Sequence, residues 1–408
     1  MPRRPSTLAP RTRTTYEAKP VPFAPWPYYG EDEIRAVTEV LQSGHVNYWT
    51  GGEGRAFERE YARAVGRHYG IALANGTVAL ELALLAFGIG TGAEVITTSR
   101  TFIASASAAV MRGAVPVCAD VDRESQNVTV ETLAACLTRR TRAIIAVHLG
   151  GWPCEMPSIM QFAKERGLVV IEDCAQSHGA TIDGLPVGSF GHAATFSFCQ
   201  DKIITTGGEG GMLVLDDERA WRTAWAFKDH GKSHEAVFER EHPPGFRWLH
   251  ESFGTNWRMT EPQAALGRIQ LTKLADWVSR RNRHAATLMR RLEDLPGVRV
   301  PRPPERVQHA YYRYYAFVEP ATLRSEWDRD RIMAAISDAG VPCFAGSCGE
   351  IYRERAFQNA HLGIRKRHPI AAELGDTSLA FLVHPTLSEE AIDYTGDVIR
   401  DVLHRAVR

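Results

Sequence analysis

The sequence predicts an α/β protein built on a mainly parallel sheet. Two observations carry this. From about residue 70 to residue 171, short apolar segments alternate with helical ones, the order that lays a parallel sheet down with helices on both faces. The strand segments are apolar throughout rather than at every second residue, as in strands buried on both sides. At 408 residues the chain can bury a large core and divide into two domains sharing a cleft.

The expected elements follow in order. A strand at 71–73 leads to a helix at 77–87, and a strand at 94–97 to a helix at 104–111. Strand 115–119, helix 131–137, strand 143–149, helix 157–166 and strand 168–171 complete the alternation. Strands 194–198 and 212–215 flank a glycine-rich loop with no helix between them, so part of the sheet is expected to be antiparallel. A long helix begins at Thr260, an N-cap with Pro262 in its first turn. Its apolar stripe (Leu266, Ile269, Leu271, Leu274, Trp277) recurs at helical period. It carries the chain into a smaller C-terminal α/β domain. The expected division is an arm over 1–25, a large domain over 26–270 and a small domain over 271–408.

Residues 1–27 hold seven of the 22 prolines and five basic residues against Glu17 alone. With no apolar core segment and so many prolines, this reads as an irregular arm rather than a signal or transit helix. Its aromatic end, Trp26 to Tyr29, is expected to pack on the body or on a second subunit. Formal net charge is zero, so no global field favours nucleic acid or an anionic membrane, and no apolar run is long enough to span a bilayer. Seven scattered cysteines without a CxxC pair fit reduced thiols in a cytoplasmic protein. Cys118 and Cys199 are expected as small buried hydrophobes in strands.

The chemistry concentrates at strand ends. Ala194 to Phe198 is a β-branched and aromatic strand that delivers Lys202 to a loop closed by Gly207-Gly208-Glu209-Gly210-Gly211. The strand before it ends in Glu172-Asp173. A lysine and an aspartate on neighbouring strand ends are the two groups that pyridoxal 5'-phosphate chemistry needs, one for the Schiff base and one for the pyridinium nitrogen. Gln176 is a candidate for the phenolic oxygen or the ring edge, and His178 for a ring neighbour. For the phosphate, Asn75-Gly76-Thr77 opens an apolar helix, where unpaired N–H groups and the helix dipole favour an anion. Ser197 adds a hydroxyl, and Phe102 is a candidate for the ring face. Gly88 to Gly92 follows a helix and precedes a strand, the wrong order for a dinucleotide loop. His148, Asp173, Cys174 and His178 match no metal-ligand spacing, and no metal site is expected.

In this order, Asn75-Gly76-Thr77, Thr101-Phe102, Val147 to Gly151, Glu172 to Gln176, Phe196-Ser197-Phe198, Lys202, Gly207 to Gly211, Gly254 to Met259 and Leu382 to Leu387 resemble the sugar aminotransferases of the DegT/DnrJ/StrS type. The resemblance spans roughly residues 26–404 and implies a fold-type I pyridoxal phosphate enzyme. It implies a homodimer with the active site shared between subunits. Lys202 would then be the Schiff-base lysine, Asp173 the pyridinium partner and Gln176 a ring contact. Gly76, Thr77 and Ser197 would hold the phosphate, with Asn256 from the neighbouring subunit, and Phe102 would cover the ring. The implied reaction takes an amino group from glutamate or glutamine, through the pyridoxamine phosphate form, to a keto-sugar, nucleotide-linked in many members, or to a keto-cyclitol. Retention of Lys202 favours amino transfer over the dehydratases of the same family; isomerisation and a non-catalytic regulator are the other readings. Candidate substrate contacts are His178, Arg258, His309, Tyr311, Tyr312, Arg313 and Tyr352. The segment 340–352 departs from the family pattern, and no substrate role carries over to it.

Overall fold

The computed structural model describes residues 21–364 and 366–408; the proline-rich arm lies almost wholly outside them. Five strands come first: β1 (Tyr69–Leu73), β2 (Glu94–Thr98), β3 (Val115–Ala119), β4 (Thr141–Val147) and β5 (Val169–Asp173). A small ribbon follows, β6 (Thr181–Ile182) and β7 (Leu185–Pro186), then β8 (Ala193–Ser197) and β9 (Gly211–Leu215). The C-terminal part adds β10 (Val298–Arg299), β11 (Val307–Gln308), β12 (Tyr314–Val318), β13 (Cys343–Phe344) and β14 (Ser378–Phe381).

The main sheet has the order β1-β9-β8-β5-β4-β2-β3. It is parallel from β3 to β8, while β9 runs antiparallel to both β8 and β1. The expected mixture of directions is therefore confined to one strand. Because β9 alone is reversed, β1, β8 and β5 all point the same way. Their carboxyl ends, Leu73, Ser197 and Asp173, line one edge, with Leu73 and Ser197 both paired to Gly211 and Asp173 paired to Thr195. Ligands of open α/β sheets gather along such an edge.

Helices cover both faces. Early in the chain lie α1 (Glu31–Ser43), α2 (Glu53–Ala64), α3 (Gly76–Ala86) and α4 (Ala104–Met111). The sequence reading assigns no element between 30 and 69. In α2 the only large apolar residues are Phe57 and Tyr61, one helical turn apart and fully buried in a helix with six charged residues. Next come α5 (Val130–Ala134), α6 (Met156–Arg166), α7 (Glu218–Lys228), α8 (His234–Phe238) and α9 (Glu261–Leu292). Thr260 stands at the expected N-cap position, and Gln263 reaches back to accept its N–H at 3.0 Å and its hydroxyl at 2.7 Å. With 32 residues, α9 is about 48 Å long. Ala264, Trp277 and Val278 pack with the main sheet, whereas Ala285, Leu288 and Leu292 pack with the second sheet, β10-β12-β14-β13. The division expected at 270 thus falls within one continuous helix. Among the described residues, no helix is long and apolar enough to cross a membrane.

Candidate active site

A cavity of about 880 Å³ opens along the carboxyl edge of β1, β8 and β5. Its walls include Gly76, Thr77, Phe102, Ser105, Asp173, Gln176, Ser197 and Lys202 from the main sheet's side. Tyr312, Arg313, Tyr315, Phe344 and Ser347 close it from the C-terminal side.

Lys202 follows β8 in a short turn. Trp26, the aromatic expected to dock on the body, donates its indole N–H to the Lys202 carbonyl at 2.9 Å and stands edge-on to Trp277. The lysine Nζ lies 3.5 Å from Asp201 Oδ1 and 4.8 Å over the Tyr312 ring. Tyr312 in turn donates its hydroxyl to Asp201. Burial pushes the Lys202 ammonium down, but Tyr312 and Asp201 more than offset it, so its pKa is raised. Gly207 and Gly208, with φ of 85° and 127°, turn the chain back into β9 through conformations that favour glycine.

Asp173 ends β5, buried, with Oδ2 accepting from Ser105 Oγ at 2.9 Å and Oδ1 from the Ala175 N–H at 3.2 Å. Burial raises its pKa despite both bonds and despite Lys202. A cation placed against this carboxylate would offset that penalty, which suits a protonated ring nitrogen. Gln176 accepts the Gly150 N–H at 2.7 Å, which fixes its amide at the cleft.

The start of α3 supplies the anion end. Asn75 caps the helix by accepting from Val78 N–H at 3.0 Å, so the cap is Asn75 and Thr77 lies inside the first turn. A Cβ on Gly76 would come within 2.7 Å of Ser197 Cβ. The absence of a side chain there lets the helix start approach the end of β8 closely enough for Thr77 and Ser197 to line the same cavity. These residues fit a phosphate-bearing pyridine cofactor: amides and hydroxyls at one end, a buried carboxylate and a lysine at the other.

A family model described as the DegT/DnrJ/EryC1/StrS aminotransferase family matches residues 27–400. The chain belongs to this family. It is 34% identical over 372 residues to the GDP-perosamine synthase of Escherichia coli O157:H7, covering 90% of this chain and 95% of that protein. It is 36% identical to the UDP-N-acetyl-3-dehydro-alpha-D-glucosamine 3-aminotransferase of Acidithiobacillus ferrooxidans, covering 91% and 94%. The solved structure of an aminotransferase from Psychrobacter cryohalolentis superposes with a TM-score of 0.92 at 53% identity, covering 94% of this chain and 99% of that one. The chain is accordingly a sugar aminotransferase of fold-type I.

Within this DegT/DnrJ/EryC1/StrS enzyme, several expected substrate contacts lie elsewhere. His178 is fully buried behind β8, with Nε2 donating to the Ser197 carbonyl at 2.9 Å. Its Nδ1 therefore accepts from Tyr61 at 2.7 Å. Burial pushes its pKa down to about 3, and it supports Ser197 from behind rather than facing a ligand. His309 accepts the Tyr311 N–H at 2.7 Å and stacks on the Tyr311 ring at 3.9 Å, so both are occupied with each other outside the cleft. Arg258 is spent on buried Asp229 at 2.5 Å. Tyr352 is buried and donates to Glu350. Of the expected substrate contacts, only Tyr312 and Arg313 line the cavity. Phe102 stands at its mouth, 68% exposed. Asn256 bridges Asp229 and lies outside this chain's own cavity; the expectation for it concerns the cleft of a second chain.

Cys199 is not the buried strand residue expected of it. β8 ends at Ser197, so Cys199 falls beyond the strand and lines the cavity, half-buried, rather than packing in the core. His148, Glu172 and Cys174 bring possible metal-ligand atoms within 4.8 Å of one another. Two of the three are already engaged: Glu172 accepts from Gly188, Phe190, Gly191 and His148, and His148 Nδ1 accepts from Cys154 N–H. The cluster braces the end of β5. Asp201, Tyr315 and Ser347 also line the cavity without a sequence signal, the last two joined by the Ser347 N–H to Tyr315 Oη bond of 3.0 Å. That bond spans 32 residues of sequence, and no local pattern announces it.

Proposed function

We propose that this enzyme moves an amino group from glutamate or glutamine to the ketone of a nucleotide-linked sugar, in two half-reactions on pyridoxal phosphate. The observation that carries the reading is the meeting of Lys202, Asp173 and the start of α3 around one cavity. The sugar-nucleotide acceptor is supported by the names of the GDP- and UDP-linked relatives. Pyridoxal phosphate, when bound, supplies an aldehyde for the amine and a ring that takes up the electron pair left on the substrate carbon.

The chain's own residues do the rest. Asp173 holds the ring nitrogen protonated, its burial making a cationic partner favourable. Gly76, Thr77 and Ser197 hold the phosphate at the start of α3, with Asn256 arriving from a second chain of a homodimer. Gln176 steadies the ring edge and Phe102 covers its face. Once free, the Lys202 amine would serve as the base that moves the proton between the substrate carbon and the cofactor. Asp201 and Tyr312 keep that amine charged until the proton is passed on. The enzyme works in the cytoplasm, where its seven free cysteines stay reduced.

The test is a purified incubation with glutamate or glutamine and a panel of nucleotide-linked and free keto-sugars and keto-cyclitols. The expected product is an amino-sugar by mass, with release of the matching 2-keto acid. Loss of oxygen without gain of nitrogen would instead make the enzyme a dehydratase. Lys202→Ala should keep the cofactor without a borohydride-fixable bond and lose turnover by about 10²–10⁴-fold. Normal transamination by that variant would overturn the assignment.

A further inference from the structure

At one point of the cavity wall, two cations, Lys202 and Arg313, share one carboxylate, Asp201. Arg313 lies just before β12, its guanidinium 4.7 Å from the Tyr312 ring and 5.9 Å from the Phe344 ring. Two aromatic neighbours hold a guanidinium in place without using its donors. Among the described residues its side chain donates no hydrogen bond, and its one ion pair, to Asp201 Oδ2 at 3.8 Å, is too long for one. Behind it, Arg281 is fully buried with Nε and Nη2 unpartnered. Burial and the like charge of Arg313 push Arg281 down to about 9. His384, which feels both arginines, is held neutral by burial and by their charge. The single carboxylate Asp201 is thus shared by Lys202 at 3.5 Å and Arg313 at 3.8 Å, with a third cation behind.

We propose that Arg313 is the subsite for the donor's α-carboxylate, the one on the carbon that bears the migrating amine. The inference rests on the reading above that the donor is an amino acid. A carboxylate already fits between the lysine and the guanidinium in the structure. In an α-amino acid the carboxylate lies two bonds from the nitrogen, and that nitrogen reacts where Nζ was joined to the cofactor. The diphosphate of a nucleotide-linked sugar stands several bonds further from its ring ketone and suits this position less well. On donor binding the incoming carboxylate replaces Asp201 on Arg313, and Asp201 keeps the Tyr312 hydroxyl.

The test compares wild-type holoenzyme with Arg313→Gln and Arg313→Lys, following each half-reaction separately by the cofactor's absorbance. Arg313→Gln should raise the half-saturating glutamate concentration by about 10–100-fold, the range for a lost hydrogen bond to a charged group. The keto-sugar half-reaction of the same variant should stay within about threefold. Arg313→Lys should recover part of the glutamate loss, because it restores the charge without the fork. Calorimetric binding of 2-oxoglutarate to the pyridoxamine-loaded protein should be weakened in parallel, with melting temperature little changed. Unchanged glutamate saturation would overturn the subsite. So would a selective loss in the keto-sugar half-reaction, which would assign the anion to the acceptor's diphosphate, or an equal loss in both halves. A wild type that ignores amino acids but accepts an amine without a carboxylate would overturn the functional reading together with the subsite.

Discussion

Asp201 shows how one neighbour sets the working range of the catalytic amine. Burial works against the Lys202 charge, while Tyr312 and Asp201 favour it strongly enough to raise the pKa. Removing the Asp201 charge in Asp201→Asn should therefore lower the pKa of the free amine. A reaction that needs Lys202 unprotonated gains rate as pH rises through that pKa, so its rising limb should move to lower pH. Tyr312→Phe should move it in the same direction. The measurement is the pH profile of the keto-sugar half-reaction, begun from the pyridoxamine-loaded enzyme in which Lys202 is free; an unmoved or alkaline-shifted limb would refute the coupling. Asp201 was not legible in the sequence, because an acid beside a lysine in a turn is what solvent exposure also produces. Lys202, Asp173, Gln176, Ser197 and Thr77 were legible as a set because each closes or follows a recognisable strand or opens a helix. His178, His309, Tyr311 and Tyr352 have the same polar chemistry, yet their partners lie in the interior, and burial depends on packing that no local segment encodes.

At the scale of elements, the contact between α3 and the end of β8 decides whether an anion can be held. Gly76→Ala would place a Cβ 2.7 Å from Ser197 Cβ and 3.1 Å from its Cα. Backbone cannot yield as a flexible side chain can, so the helix start must move, at an overpacking cost of about 1–3 kcal/mol. The expected result is at least ~10-fold weaker cofactor binding by spectroscopic titration, since charge-assisted phosphate bonds contribute about 1.5–3 kcal/mol each. Asn75→Ala removes the cap to Val78 without crowding and should cost stability by about 1 kcal/mol in a denaturant melt. Equal cofactor affinity in Gly76→Ala and wild type would mean that the helix start is not the phosphate site. The same element explains what was readable in advance. Ala143 to Val147 in β4, Val169 to Ile171 in β5 and Met212 to Leu215 in β9 are continuous apolar runs, and the 3.6-residue stripe of α9 is long. The ribbon β6–β7–β11 is built from two-residue strands, too short to leave a period.

For the molecule as a whole, buried neutral histidines couple stability to pH. His178, His309 and His384 are each held near 3, with burial the leading cause, whereas an unfolded histidine titrates near 6.5. Between those values the unfolded chain binds protons that the folded chain excludes, so stability is full above about 6.5 and falls as pH falls. At pH 5 each should contribute a loss of about 2 kcal/mol, from about 1.4 kcal/mol per pH unit below 6.5. Asp173 and Glu58, both raised by burial, act in the opposite direction, because their folded forms hold protons more readily. The depressed carboxyl of Glu350, near 2, contributes little in this window, since its stabilising effect is lost only below the usual carboxylate range. The net expectation is a steady fall in unfolding free energy between pH 7 and pH 5 in urea titrations. His309→Gln isolates one histidine: its side-chain oxygen offers the Tyr311 N–H an acceptor that does not titrate. That variant should be less stable than wild type at pH 7, but its decline towards pH 5 should be shallower by about 2 kcal/mol. An identical slope in variant and wild type would mean that His309 takes up its proton inside the folded protein, and that the wall behind the cavity admits water.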